Sequence, residues 1–195
     1  MTALAVMTLP FATPAKTRAL LEQLLRGALD QLENDEVTLV GGHTSEGMEL
    51  SLGFAVNGIV DAGRDIRKSG MRCGDVLILT KALGTGVLFA ADMQARARGA
   101  WISGAIDSML TSNRAAAAIL AGAGATAMTD VTGFGLAGHL AEMVTASGQG
   151  AEIELDRVPT LAGAFEMLAA GIQSTLQEGN ERSAPLTGPG DMREK

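Results

Sequence analysis

The sequence contains no tyrosine, one tryptophan and five phenylalanines among 195 residues. That excludes an aromatic platform for stacking nucleobases. A single cysteine, Cys73, excludes an internal disulfide. With only two histidines beside it, Cys₄ and Cys₂His₂ zinc sites are excluded too. Basic residues are few: 15 Lys and Arg stand against 22 Asp and Glu, a net charge of -7, and they form no run. No nucleic-acid partner is expected, because binding to a phosphate backbone draws on clustered cations. No apolar run reaches membrane-spanning length, so no membrane association is expected. The opening residues 1–16 carry a short apolar run with no basic segment before it, which does not read as a signal peptide. A lone thiol fits a reducing compartment, and a cytoplasmic location is expected.

Hydrophobic residues make up 47% and charged residues 19%, the balance of a globular chain. The length suffices for one domain with a core or for two small lobes. Ala3–Leu9 reads as a strand. Residues 12–34 give the clearest helix, with Thr13 placed to cap it and Pro14 in its first turn. Leu20, Leu21, Leu24, Leu25, Ala28, Leu29 and Leu32 form its apolar stripe. Residues 37–42 read as a short strand entering a Gly turn, and residues 49–60 as a strand with Leu50, Leu52, Phe54 and Val56 alternating.

A polar, Gly-punctuated stretch near residues 60–74 marks a domain boundary. The apolar run at 76–81 then reads as a strand, and the segment after Gly86 as a helix. A helix is expected over 106–121, a short strand at 125–128, a helix over 134–146, a strand at 151–156 and a last helix at 161–171. The chain therefore divides into a first lobe at 1–62, a second lobe at 63–182 and a disordered tail at 183–195. The fold class is α/β, of α+β type.

Three Gly-rich turns can carry chemistry. In "TDVTGFG", Asp130 offers a hard carboxylate oxygen of the kind Mg²⁺ takes, and Thr129 and Thr132 add hydroxyls. Gly133 and Gly135 permit close backbone approach, and the next helix begins with partial positive charge. An Asp at an ordinary strand–turn–helix connection has the same spacing. In "VGGHTSEG", Gly41 and Gly42 open the backbone beside His43, Thr44 and Ser45, and a tight strand-exit turn fits equally. In "TKALGTG", neither a full dinucleotide fingerprint nor a Walker A loop is present, and Lys81 reads as a solvated strand-end charge. His139 reads as a packing or capping histidine, Cys73 as incidental, and no catalytic residue is assigned.

Taken together, "LVGGHTSEGMELSLGFAVNGIV", "LILTKALGTGVL" and "AMTDVTGFGLAGHLAEM" resemble the selenophosphate synthetase (selenide, water dikinase) family of the aminoimidazole ribonucleotide synthetase-like superfamily. The resemblance runs from about Leu4 to about Arg182, and "DVTGFG" is its most specific part. It implies a two-lobe fold with an incomplete N-terminal ATP-binding and dimerisation lobe and most of a C-terminal lobe. It implies a phosphotransferase that converts ATP, selenide and water to selenophosphate, AMP and phosphate with Mg²⁺. Asp130 matches the family's metal-binding Asp. Gly42, His43 and Thr44 match a stretch that touches ATP held mainly by the other subunit of a homodimer. The family's N-terminal Cys and Lys segment, further Asp ligands and a "DPQTSGG"-like segment are not matched here, so little activity is expected of this chain alone. Two alternatives stay open: a non-catalytic dimerisation partner or remnant, and an ATP-dependent enzyme of another superfamily branch.

Overall fold

In the computed structural model, residues 1–60, 63 and 65–183 are described. The chain forms two compact units, residues 1–65 and 66–195. Residues 61, 62 and 64, beside the expected boundary at 62/63, lie outside the described residues. So does the expected tail from 184 onwards.

The first unit is a three-stranded sheet with one helix. Strand β1 (Thr2–Pro10), helix α1 (Pro14–Asn34), β2 (Thr38–Gly47) and β3 (Ser51–Asn57) follow in order. The sheet runs β2-β1-β3, with β2 parallel and β3 antiparallel to β1. The parallel pair requires a crossover, and α1 supplies it. Alternation along β1 buries Ala3, Ala5, Met7 and Leu9. Helix α1 packs on β1 and β2. Its stripe is only partly covered: Ala28 is buried, whereas Leu29 is 47% exposed. Thr13 sits at the N-cap, but its hydroxyl makes no capping bond; its carbonyl accepts the Thr17 N–H and hydroxyl instead.

Register places Leu52, Phe54 and Val56 opposite Met7, Ala5 and Ala3. Directly opposed residues share a face, so these three continue the helix-facing side of the sheet. The helix lies over β1 and β2, and all three side chains stay exposed.

The expected Gly turn after residue 40 is not there. Strand β2 runs unbroken through "GGHTSEG" to Gly47, with an irregularity opposite Ala3 and Leu4. Ladder hydrogen bonds to β1 hold the glycines extended where local sequence favours a turn.

The second unit is mainly helical: α2 (Thr85–Met93), α3 (Gly99–Leu110), α4 (Arg114–Gly122), α5 (Gly135–Ser147), α6 (Ala164–Ala169) and α7 (Gln177–Ser183), with a 3₁₀ turn at Leu155–Arg157. Leu88 of α2, Ala105 of α3 and Ala164 of α6 form a buried cluster, with Trp101 and Leu161 packed against it. A second cluster joins Ala90, Ala91 and Ile172.

Several sequence expectations fail here. The helix expected over 106–121 is two helices, because the chain leaves the α conformation at Thr111. Residues 76–81, 125–128 and 151–156 are not strands. A strand exists only where its N–H and C=O groups meet a neighbour's, and among the described residues of this unit the sole β-pairing is a bridge between Leu83 and Thr160. Val76 and Ile78 are correspondingly exposed. Lys81 is not a free solvated charge. Its ammonium donates to the Ser108 and Thr111 carbonyls at 3.1 and 2.9 Å, capping the negative end of α3. Helix α7 lies beyond the last helix expected from the sequence, at 161–171.

Candidate functional site

The turn before α5 is the more built of the two candidate places. Its chain arrives through Met128, whose N–H donates to the Arg67 carbonyl at 2.9 Å. Asp130 follows, exposed and outside any helix or strand. The Thr129 hydroxyl is turned to the Asp130 carbonyl at 3.2 Å. At Thr132 the chain turns, and the Gly135 N–H closes on the Thr132 carbonyl at 2.9 Å. Gly135 has φ +70, a left-handed conformation that a Cβ would strain. Here the glycine is required by backbone conformation, before any ligand is considered.

The buried ring of His139, one turn into α5, holds Thr132. Its Nε2 lies 3.1 Å from the Thr132 N and 3.0 Å from the Thr132 hydroxyl. The edge of Phe134 packs on it at 6.0 Å between ring centres. These contacts fit the expected reading of His139 as a packing or capping histidine. From α7, the Asn180 amide donates to the Gly133 carbonyl at 2.9 Å. A cleft of about 310 Å³ between the first turn of α5 and α7 is lined by Phe134, Gly135, Leu136, Gln177, Asn180 and Glu181.

The segment from Arg67 to Asp75 is fastened along α5 and its approach. Lys68 pairs with Glu142. The Ser147 hydroxyl accepts the N–H groups of Gly70 and Met71, each at 3.1 Å. Asp75 accepts the Thr126 hydroxyl at 2.6 Å and the Arg72 N–H at 2.8 Å. Apart from Arg72 and Asp75, which are three residues apart, these partners did not stand out in the sequence, since each lies about 50 or more residues from its mate.

The Thr126 and Arg72 hydrogen bonds hold the Asp75 carboxyl below the ordinary carboxylate range. Lys68 does the same for Glu142. Both groups favour the folded state once ionised, and that contribution disappears as pH falls through the lowered values. The melting temperature of the second unit is therefore expected to fall below about pH 4. In Asp75→Asn and Glu142→Gln together, the acid limb should be visibly flatter. An unchanged acid limb in the double variant would show that these ties do not contribute.

For Mg²⁺, the turn fits as one ligand position. Asp130 supplies an exposed carboxylate, while the Thr129 and Thr132 hydroxyls already have protein partners. Among the described residues, no group of three or more His, Cys, Asp or Glu side chains could hold a metal ion. Mg²⁺ commonly takes one or two carboxylates and completes its shell with water and phosphate oxygens.

Gly42, His43 and Thr44 lie in the first unit, on exposed β2. Strand alternation turns His43 to the face of Val6, and Thr44 to the opposite face with Met7. A Cβ at Gly42 would overlap the Ala5 backbone. The close approach this glycine serves within the chain is therefore strand to strand. The Ser45 hydroxyl lies 3.2 Å from that of Thr8 and donates to the Met7 carbonyl at 3.3 Å.

A family model described as AIR synthase related protein, C-terminal domain, matches residues 72–178, more than half of the chain and including Asp130 and His139. The chain belongs to the AIR synthase related family. Among the curated relatives it matches are proteins named selenide, water dikinase. The one from Geobacter metallireducens is 41% identical over 153 residues, covering 78% of this chain and 45% of the relative. Those from Pelobacter propionicus and Bordetella bronchiseptica are 40% and 42% identical, covering 83% and 76% of this chain and 47% and 43% of the relatives. The chain thus spans about half the length of the curated relatives it matches. A thiamine-monophosphate kinase from Stenotrophomonas maltophilia K279a matches in structure with a TM-score of 0.72 at 20% identity, over 94% of this chain and 57% of that one. That likeness is one of fold. It agrees with the expected α/β fold of the aminoimidazole ribonucleotide synthetase type, present in part. No described helix is long and apolar enough to cross a membrane.

Proposed function

We propose that this chain is part of a selenide, water dikinase, acting in the cytoplasm on ATP, selenide and water to give selenophosphate, AMP and phosphate. The observation that carries this reading is the 40–42% identity to three proteins of that name over 149–163 residues. Asp130 is the position that would hold Mg²⁺, which when bound supplies positive charge against the phosphates. A chain of net charge -7 needs such help to bind a polyanion. Gly42, His43 and Thr44 are the residues that would approach ATP across a homodimer. The exposed apolar side chains of β3 that share one face of the sheet, Leu52, Phe54 and Val56, support a sheet-borne interface.

The 195 residues by themselves are expected to turn over little, because phosphoryl transfer needs several positioned charges and the Asp130 turn supplies one carboxylate. Selenide-dependent formation of AMP from ATP is the measurement. Negligible turnover alone is the expected result, and robust turnover would overturn it. Turnover with thiamine monophosphate or aminoimidazole precursors, and none with selenide, would move the chain to another branch. The same exposed sheet favours a second reading, a non-catalytic partner that pairs with a complete subunit. Light scattering with and without a full-length relative tests it, and a monomer indifferent to that relative would remove it.

A further inference from the structure

We propose that His139 is a positioning residue: its imidazole, held with the proton on Nδ1, accepts the Thr132 backbone N–H and thereby fixes how the turn presents Asp130. A backbone N–H can only donate. Thr132 N lies 3.1 Å from Nε2, so Nε2 must present its lone pair, and the proton of the neutral ring is on Nδ1. The Thr132 hydroxyl, 3.0 Å from the same nitrogen, shares that lone pair.

The ring is only 6% exposed, and among the described residues Nδ1 has no hydrogen-bond partner. The charged groups around it are few. Glu142, on the same helix, brings a carboxylate oxygen to 3.7 Å from Nδ1, and Lys68 pairs with that carboxylate from the preceding segment. The Phe134 ring covers another side. An apolar residue would fill this space without the cost of leaving a buried nitrogen unpaired. What an apolar residue cannot do is hold Thr132. Asp130 is thus bracketed by two ties, Met128 to Arg67 on one side and Thr132 to His139 on the other. The functional consequence rests on reading Asp130 as a metal-ligand position; the staple itself does not.

Nitrogen-15 NMR of histidine-labelled chain tests the staple directly. There are two histidines, and His43→Gln assigns the remaining signal. The expected signature is a protonated Nδ1 and a bare Nε2 for His139, and a protonated Nε2 in the neutral ring would overturn the proposal. In His139→Leu, the Thr132 amide should exchange about 10-fold faster, with α5 still protected. His139→Gln, whose carbonyl oxygen reaches about as far as Nε2, should restore protection. An unchanged Thr132 amide in His139→Leu would also overturn it.

Manganese, used as a paramagnetic stand-in for Mg²⁺, should broaden the amides beside Asp130. Asp130→Asn should abolish that broadening, and His139→Leu should weaken Mn²⁺ binding by about 10-fold or more, as loss of a supporting contact does. Broadening lost in Asp130→Asn but unaltered in His139→Leu would sink the positioning role. Broadening unaltered in Asp130→Asn would instead sink the ligand reading of Asp130, while the tautomer and exchange results still decide whether His139 fixes the turn.

Discussion

Leu88→Ala is expected to lower the stability of the second unit by about 2–5 kcal/mol. Leu88 is fully buried, and its buried neighbours Ala105 and Ala164 are already as small as a side chain with a Cβ can be. Neither can extend into the space left behind. The larger neighbours, Phe89, Trp101, Ile102 and Leu161, are only partly buried and sit at the edge of the cluster. Collapse onto the void is therefore limited, and the cavity cost adds to the lost transfer energy. Trp101 is the only tryptophan, so its fluorescence during urea unfolding reports this unit alone. That matters in a chain of two units, where a single global transition cannot be assumed. A shift below about 1 kcal/mol would show that the cluster repacks freely.

Gly42→Ala is expected to open the β1–β2 pair, at a cost of about 1–3 kcal/mol or more. The added methyl would meet the Ala5 carbonyl, and a backbone atom cannot rotate aside as a side chain can. The strands must separate or slip, and a one-residue slip sends His43 and Thr44 to each other's faces. Amide exchange should therefore rise from Gly41 to Ser45 and along Ala5–Thr8, while amides of α5 keep their protection. A folded variant with the wild-type exchange pattern would overturn the expectation. Gly53→Ala is the matched control, since a Cβ there meets nothing.

These two sites show what could be read along the chain. Strand β1 announces itself by alternation, because every second side chain is buried. Helix α1 announces itself by a long apolar stripe with Pro14 at its start. Helix α5 was expected at 134–146 and spans Gly135–Ser147, since its Gly-bounded start and Gly148 end are local signals. Thr111, by contrast, ends a helix that composition alone would have continued, because Lys81, 30 residues earlier, caps that end.

The candidate site divides in the same way. The glycine at 135 was legible, because a positive-φ turn is a property of a short segment, whereas the strand expected just before Asp130 is absent. The hold on that turn was not. His139 reaches back seven residues, Asn180 comes from 47 residues away, and Lys68 reaches Glu142 across 74. Sequence spacing carries no signal for such pairs without a fold to bring them together.

The sequence by itself determined the class of chain: acidic, globular, nearly free of aromatics, with alternating and helical apolar patterns and a turn fit to present one carboxylate. Tertiary structure decided the rest. It made "GGHTSEG" a strand, because ladder partners on β1 override local turn preference. It left residues 76–78 exposed and outside any strand among the described residues, because apolar character alone cannot satisfy a backbone hydrogen bond. And it gave His139 its part, since only the folded chain places an imidazole lone pair against the Thr132 N–H.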